Sequence, residues 1–325
     1  MKASNTHEAI EVVAEALGDR AVRNASLGSL TTLRVGGPAS LLVRAHSMHD
    51  LEIVSVAVRR AKSAAGEGVS ILVIGQGSNL LVADVGFVGL VIVLDGEFGS
   101  WTKDSNAKVT AGAALKLPVL ARQTTRAGLS GLGWMVGVPG SVGGAVRMNA
   151  GGHGSDVASS LLSVRVFDVA TGEIMERSAL DLDLGYRRSD LVPSSVVLDA
   201  DFELEWSDDL AAAETELGEI VRWRREHQPG GANCGSVFTN PAGDSAGRLI
   251  DACGLKGLRI GSAMVSEKHA NFVQVDDGGS AGDVWTLILD VRRRVFDRFG
   301  MLLDPEVRTA GFDAFLPHLV PEEKT

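Results

Sequence analysis

Two glycine runs hold the chemistry that residue type and spacing reveal most directly. GQGSN occupies residues 75–79, and GLGWMVGVPGSVGGAVRMNAGGHG occupies residues 131–154. Glycine lacks a β-carbon, tolerates positive φ and lets backbone N–H groups converge on an anionic oxygen. Such runs read either as tight turns in a crowded core or as backbone cradles for a phosphate-bearing cofactor. The entropy lost in ordering so many glycines favours the cradle. Neither run is a Rossmann fingerprint, because Leu80 stands where a third glycine is required and no clear helix pattern follows it. Cys234 and Cys253, the two cysteines, lack CxxC spacing, which argues against a disulfide framework or structural zinc, and no metal is expected. Cys234, in the turn GGANCGS, reads as a small buried residue more readily than as a reactive thiol.

These loops need elements to hold them. Apolar spacing predicts helices over 9–17 and 48–65, the second with Asp50 near its positive end. Short branched apolar runs at 41–45, 70–75 and 87–93 predict strands, so strand, helix, strand, GQGSN turn and strand form a small α/β unit. Further on, KVTAGAAL predicts a strand and LKLPVLARQTTRAG a helix with Pro118 in its first turn. SSLLSVRVFDVA and SSVVLDADFELEW predict strands, with LGYRRSDL between them as a loop. Residues 210–225 predict a helix joining two domains, and SAGRLIDACG a short one. RIGSAMVSEKHANFVQVDD reads as strand, turn, strand. In the following helix, Val284, Ile288, Val291, Val295 and Phe299 line one side, leaving Arg292 to Arg294 as a solvated face. MLLDPEVR begins like a strand.

Composition narrows the partners. A chain of 325 residues exceeds what one hydrophobic core usually supports, and its net charge of −10 opposes nonspecific attraction to nucleic acid or an anionic bilayer. The opening MKASNTHEAIEVVAEALGD lacks a secretory h-region and no apolar stretch approaches a membrane span, so a cytoplasmic protein is expected, with no nucleic acid or membrane partner.

Six blocks in order, GQGSN, GVPGSVGGAVRMNAGGHG, YRRS, CGSVFTNP, VSEKHANF and LDPEVR, span residues 75–308. Together they resemble the bacterial UDP-N-acetylenolpyruvoylglucosamine reductase family. SLTTLRVGGPA is similar to its opening block, with Leu33 where an aromatic is typical, and His153 stands where many members carry tyrosine. The resemblance implies an α+β protein: a two-part FAD-binding region of the vanillyl-alcohol-oxidase type and a C-terminal α+β substrate-binding domain. Boundaries are expected at 1–95, 96–207 and 208–325. YRRSD runs almost directly into PSSVVLDADFEL, which implies the shorter family type without an inserted tyrosine segment.

The implied chemistry is NADPH-dependent reduction, through bound FAD, of UDP-N-acetylglucosamine enolpyruvate to UDP-N-acetylmuramate for peptidoglycan. Around FAD the resemblance implies Gly75, Gln76, Gly77, Ser78 and Asn79 at the pyrophosphate. Gly137, Pro139, Gly140, Ser141, Gly143, Gly144 and Asn149 would close on the cofactor. Arg187 is implied as the group that stabilises charge building on the substrate carboxylate, Ser236 as proton donor, and Glu306 as an acid that polarises the carboxylate or assists protonation. Asn240 is implied at the diphosphate; Lys256, Lys268, His269 and Asn271 form a polar cluster suited to phosphates and sugar. The same FAD architecture would serve an oxidase of an alcohol or sugar, and a non-catalytic nucleotide-sugar-binding protein is the other alternative. The presence of Arg187, Ser236 and Glu306 favours the reductase.

Overall fold

Three larger sheets follow one another along the chain. The structure, a computed structural model, describes residues 2–312; the end of the expected third domain, 313–325, lies outside the described residues. In the first sheet, Pro38–Ala45 and Ile71–Ile74 flank Phe87–Leu94 in parallel, and Ala21–Ser26 adds an antiparallel edge. Alternation along Pro38–Ala45 sends Leu41 and Val43 toward helices α1 (Lys2–Leu17) and α2 (Met48–Ala65), while Leu42 enters a second cluster on the other face. Helix α2 starts at a capping box in which the Ser47 hydroxyl accepts from Asp50 N–H and the Asp50 carboxylate accepts from Ser47 N–H. It stops at Gly66, whose φ is +74°.

The second sheet is antiparallel throughout, in the order Glu173–Ser178, Leu161–Asp168, Ser195–Glu203, Lys108–Gly112, Trp101–Lys103. Helix α3 (Leu117–Arg126) carries Pro118 in its first turn, as expected. The long glycine run is not all loop: it contains helix α4 (Val142–Met148), whose Val142, Ala145 and Val146 are buried in this region's core. Helix α5 (Leu210–His227) lays Leu217 and Ile220 on the same core.

The third sheet orders Asn233–Ser236, Phe272–Val275, Ala263–Val265 and Arg259–Ile260, with helices α6 (Ala246–Ala252) and α7 (Ala281–Phe299) beside it. The segment expected as two strands therefore makes three. Along α7 the apolar stripe is buried as expected through Val295, but Phe299 is 39% exposed at the last turn. Arg292 departs from the solvated face. Four residues after buried Ile288 it flanks the stripe, is itself buried, and its Nε donates to the Leu303 carbonyl at 2.8 Å.

Two chain crossings tie these regions together. The strand expected at Met301 is displaced to Arg308–Ala310, which pairs in parallel with Leu80–Val82 just after the GQGSN turn. The preceding residues instead bond the segment just after Ser236: Thr239 N–H donates to Asp304 O at 2.9 Å and Glu306 N–H to Val237 O at 2.7 Å. At the start of α7, the Asp84 carboxylate accepts from Ser280 Oγ (2.7 Å), Ala281 N–H (2.8 Å) and Gly282 N–H (2.9 Å).

Candidate active site

The turn 75–79 leaves the C-terminal end of Ile71–Ile74, the end of a parallel strand where open α/β sheets present ligand sites. Its geometry requires glycine at position 77: φ is +57°, and a β-carbon there would run into the Leu30 carbonyl oxygen. The two glycine loops touch. Ser78 Oγ donates to Pro139 O at 2.8 Å, and a β-carbon on Gly75 would collide with Ser141 Oγ. Gly137 packs under His153 and Ile220, and Gly143 against Ala113, where added β-carbons would lie 2.7–2.9 Å from side-chain atoms.

Arg187 has an αL backbone, φ +57°, an uncommon conformation for a non-glycine residue and typical of strained functional positions. The side chain accounts for it. Its Nε donates to Glu306 Oε1 at 2.7 Å, Nη2 to Gly151 O at 2.9 Å and Nη1 to Asn149 O at 3.4 Å. Arg188 turns away and pairs with exposed Asp183 at 3.2 Å. Asn149 braces this loop: its Nδ2 donates to Gly185 O at 3.1 Å and to Asp156 Oδ2 at 3.3 Å, and its Oδ1 accepts from Ala158 N–H at 3.0 Å. That buried amide is committed to the chain and not turned toward a cofactor.

Ser236 reaches the site through a bulge. Asn233 faces Gln274 and Ser236 faces Phe272, so three residue steps on one strand match two on the other, and Gly235 (φ +77°) absorbs the extra residue. Cys234 is buried beneath, with burial pushing its thiol up to about 12, in keeping with an inert core residue. Burial also raises the Glu306 carboxyl above the ordinary carboxylate value, while the charge and hydrogen bond of Arg187 pull against that rise.

Arg187, Ser236 and Glu306, separated by up to 119 positions, line one cavity of about 320 Å³ together with both glycine loops. A second cavity of about 390 Å³ shares Ile74, Gly75, Gln76, Ser141, Gly144 and Arg147 with it, so the two lie side by side along the glycine loops. In a chain with net charge −10, the first cavity has four arginines (Arg147, Arg187, Arg224 and Arg308) against one carboxylate, Glu306. Such a lining favours anionic ligands.

The proposed substrate residues of the third region do not line either cavity. Asn271 is clamped in the core, donating to Phe238 O at 2.8 Å and accepting from Phe238 N–H at 3.0 Å, so its amide supports the strand beyond Ser236. Asn240 Oδ1 accepts from Ala246 N–H at the start of α6. Lys256 pairs with Asp251 at 3.0 Å, and Lys268 Nζ donates to Arg225 O at 2.5 Å. His269 Nδ1 accepts from Asn271 N–H, and its pKa is lowered by burial and then by Lys256.

Arg147, Arg224, Gln228 and Arg308 were not singled out in the sequence, yet they line the first cavity. Arg224 and Gln228 sit one turn apart at the end of α5, a spacing that puts them on one face, and Arg308 closes the LDPEVR block. Arg147 bonds the carbonyls of Leu191, Val192 and Ser195, and among the described residues it has no carboxylate partner. His153, noticed only as a departure from tyrosine, packs edge-on against Trp223 at the same mouth, with ring centroids 5.2 Å apart.

The glycine cradles, the paired cavities and the three-sheet layout define a flavoprotein of the FAD-binding class: residues 39–178 match the family model described as FAD binding domain. Residues 227–310 match the model of the C-terminal domain of UDP-N-acetylenolpyruvoylglucosamine reductase. The chain is 40% identical over 291 residues to UDP-N-acetylenolpyruvoylglucosamine reductase of Synechococcus sp. (strain RCC307), covering 89% of this chain and 93% of that one. It is 41% identical over 290 residues to the enzyme of the same name from Gloeobacter violaceus, covering 88% and 95%. The crystal structure of UDP-N-acetylenolpyruvylglucosamine reductase from Thermus caldophilus superimposes with a TM-score of 0.76 at 37% identity, over 90% of this chain and 99% of that one. The chain belongs to the UDP-N-acetylenolpyruvoylglucosamine reductase family.

Proposed function

We propose that this protein binds FAD and uses NADPH to reduce UDP-N-acetylglucosamine enolpyruvate to UDP-N-acetylmuramate, in the cytoplasm, for peptidoglycan precursor synthesis. The observation that carries this reading is the convergence of Arg187, Glu306 and Ser236 on the cavity between the two glycine loops. Family membership supports the same reaction. An alcohol or sugar oxidase would need no such grouping.

The residues present fit FAD. Gly75, Gln76 and Ser141, which line both cavities, would hold its pyrophosphate, and Asn79 keeps a buried Oδ1 with no partner among the described residues. Bound there, FAD would supply the hydride relay between NADPH and the terminal vinyl carbon of the substrate. Negative charge then builds on the neighbouring carbon and its carboxylate. The N–H groups of Arg187 not bound to Glu306, Gly151 or Asn149 would be the donors that stabilise that carboxylate. As the substrate carboxylate takes its place at Arg187, Glu306, already raised by burial, takes up a proton and hydrogen-bonds the carboxylate instead of repelling it. Ser236, held by the bulge, donates the proton to the carbon bearing the carboxylate.

We assign the spans 1–95, 96–207 and 208–325 to the two parts of the FAD region and the substrate domain. Each larger sheet lies within one span, which supports the division, although α5 of the third span packs on the core of the second and Arg308–Ala310 returns to the first. An anaerobic titration tests the function. Bound flavin should bleach with NADPH and regain its yellow colour when the enolpyruvyl substrate is added; colour that returns only with oxygen overturns the assignment in favour of an oxidase.

A further inference from the structure

Asn79 ends the GQGSN turn and lies 227 positions before Glu306, yet the two are joined directly: Asn79 Nδ2 donates to the Glu306 carbonyl at 3.0 Å. The Asn79 carbonyl accepts from Arg308 N–H at 3.0 Å, and the parallel ladder begins at the next residue, Leu80 opposite Arg308. On its other side Glu306 N–H donates to Val237 O, one residue beyond Ser236. The peptide groups that carry the acid are thus gripped by the cofactor turn on one side and by the residue after Ser236 on the other.

The amide of Asn79 has a fixed sense. Flipping it would set its oxygen against the Glu306 carbonyl, two acceptors face to face. Its Oδ1 is therefore held away from Glu306, where it is buried and has no partner among the described residues. An acceptor in that condition calls for a donor. Asn79 is among the residues that line the first cavity, so a ligand seated on the glycine turn brings hydroxyl or N–H donors to the residue whose acceptor is unmet.

We propose that Asn79 is a positioning residue that couples occupancy of the cofactor loop to the seat of Glu306. A donor from the bound cofactor locks the amide through Oδ1, and the locked Nδ2 fixes the Glu306 main chain so that its carboxyl meets Arg187. With the loop empty, the amide lacks its second anchor and Glu306 is held less firmly. The acid is thereby held most firmly on a loaded enzyme. This inference rests on FAD as the ligand of the loop, and its test is built to separate the two.

Hydrogen exchange read by mass spectrometry, on the full chain stripped of FAD and then reloaded, needs no turnover. In the native protein, loading should slow exchange in both glycine loops and, by about tenfold, at the amides of residues 304–310, the effect of firming one hydrogen bond. Asn79→Asp keeps the size and one oxygen but loses the donor to Glu306. It should retain protection of the loops, while protection of 304–310 on loading drops to about twofold or less. General destabilisation would instead speed exchange across the chain. Asn79→Ala gives the same readout should the Asp variant fail to fold. Undiminished protection of 304–310 in a variant that takes up flavin overturns the coupling alone; native protein that takes up no FAD overturns both the coupling and the proposed function.

Discussion

Replacing Arg187 by Ala deletes a guanidinium whose contacts are known atom by atom. The group has five N–H donors, and Glu306, Asn149 and Gly151 occupy three of them, leaving two for an incoming carboxylate. Loss of one donor to a developing oxyanion typically slows reaction by roughly 10²–10³-fold, about 3–4 kcal/mol. With two donors on one carboxylate, the upper end of that range is expected. The loss should fall on one half of the cycle. Reduction of the flavin by NADPH builds no charge on the enolpyruvyl carboxylate, whereas reoxidation by the substrate does. Rapid-mixing absorbance of the flavin reads the two steps separately, and reoxidation should slow by about 10³-fold with reduction nearly unchanged. A companion variant guards against a folding artefact. Position 187 holds φ +57°, so Arg187→Gly removes the same charge while relieving about 1–2 kcal/mol of backbone strain. Equal slowing of both half-reactions in Arg187→Ala, or recovery of fast reoxidation in Arg187→Gly, refutes the assigned role.

Other outcomes follow from the same geometry. Ser236→Ala should keep FAD and its reduction by NADPH yet lose steady-state turnover by about 10²–10⁴-fold, with Ser236→Cys retaining more; near-native turnover of the Ala variant would shift the proton to another donor, Glu306 first. Glu306 has a raised folded pKa, so its contribution to stability is full below the unfolded value of 4.5 and is lost as pH rises through the folded value. Chemical denaturation should therefore show Glu306→Gln gaining stability relative to the native protein as pH rises through that window, and a flat difference would contradict the raised carboxyl. Asp84 behaves oppositely: desolvation raises its carboxyl, but the bonds from Ser280, Gly282 and Ala281 outweigh it, so its contribution is present above 3.8 and fades as pH falls through the lower folded value. Asp84→Ala should cost about 1–2 kcal/mol near neutral pH, and an unaltered melting curve there would dismiss the latch. Gly77→Ala drives a β-carbon into the Leu30 carbonyl, and equilibrium dialysis should find FAD binding weakened by at least about tenfold; native affinity would mean the turn yields freely.

Local pattern was enough for elements whose cause is local. Asp50 at the positive end of α2, Pro118 at the head of α3, the apolar run at 41–45 and the stripe of α7 through Val295 are all decided within a few residues by propensity and period, and the structure reproduces them. The glycine runs were equally legible, because absent side chains are visible in a sequence. Family motifs pointed to Arg187, Ser236 and Glu306, but no local rule could bring them together. Ser236 depends on a bulge against Phe272, Arg187 on an αL turn braced by Asn149, and Glu306 on bonds to Val237 and Asn79. The misplaced strand at Met301 has the same origin. Its apolar residues favoured extension, yet which backbone accepts their hydrogen bonds is a long-range matter, and the ladder forms only where Arg308 meets Leu80. Arg292 and Asn271 looked available for solvent or substrate because their type is polar, but the fold buries both and spends their hydrogen bonds on Leu303 and Phe238. Sequence carries the identity of a group and its local geometry; whether that group faces a cavity or the core depends on contacts between residues far apart in the chain, and only the tertiary structure decides those.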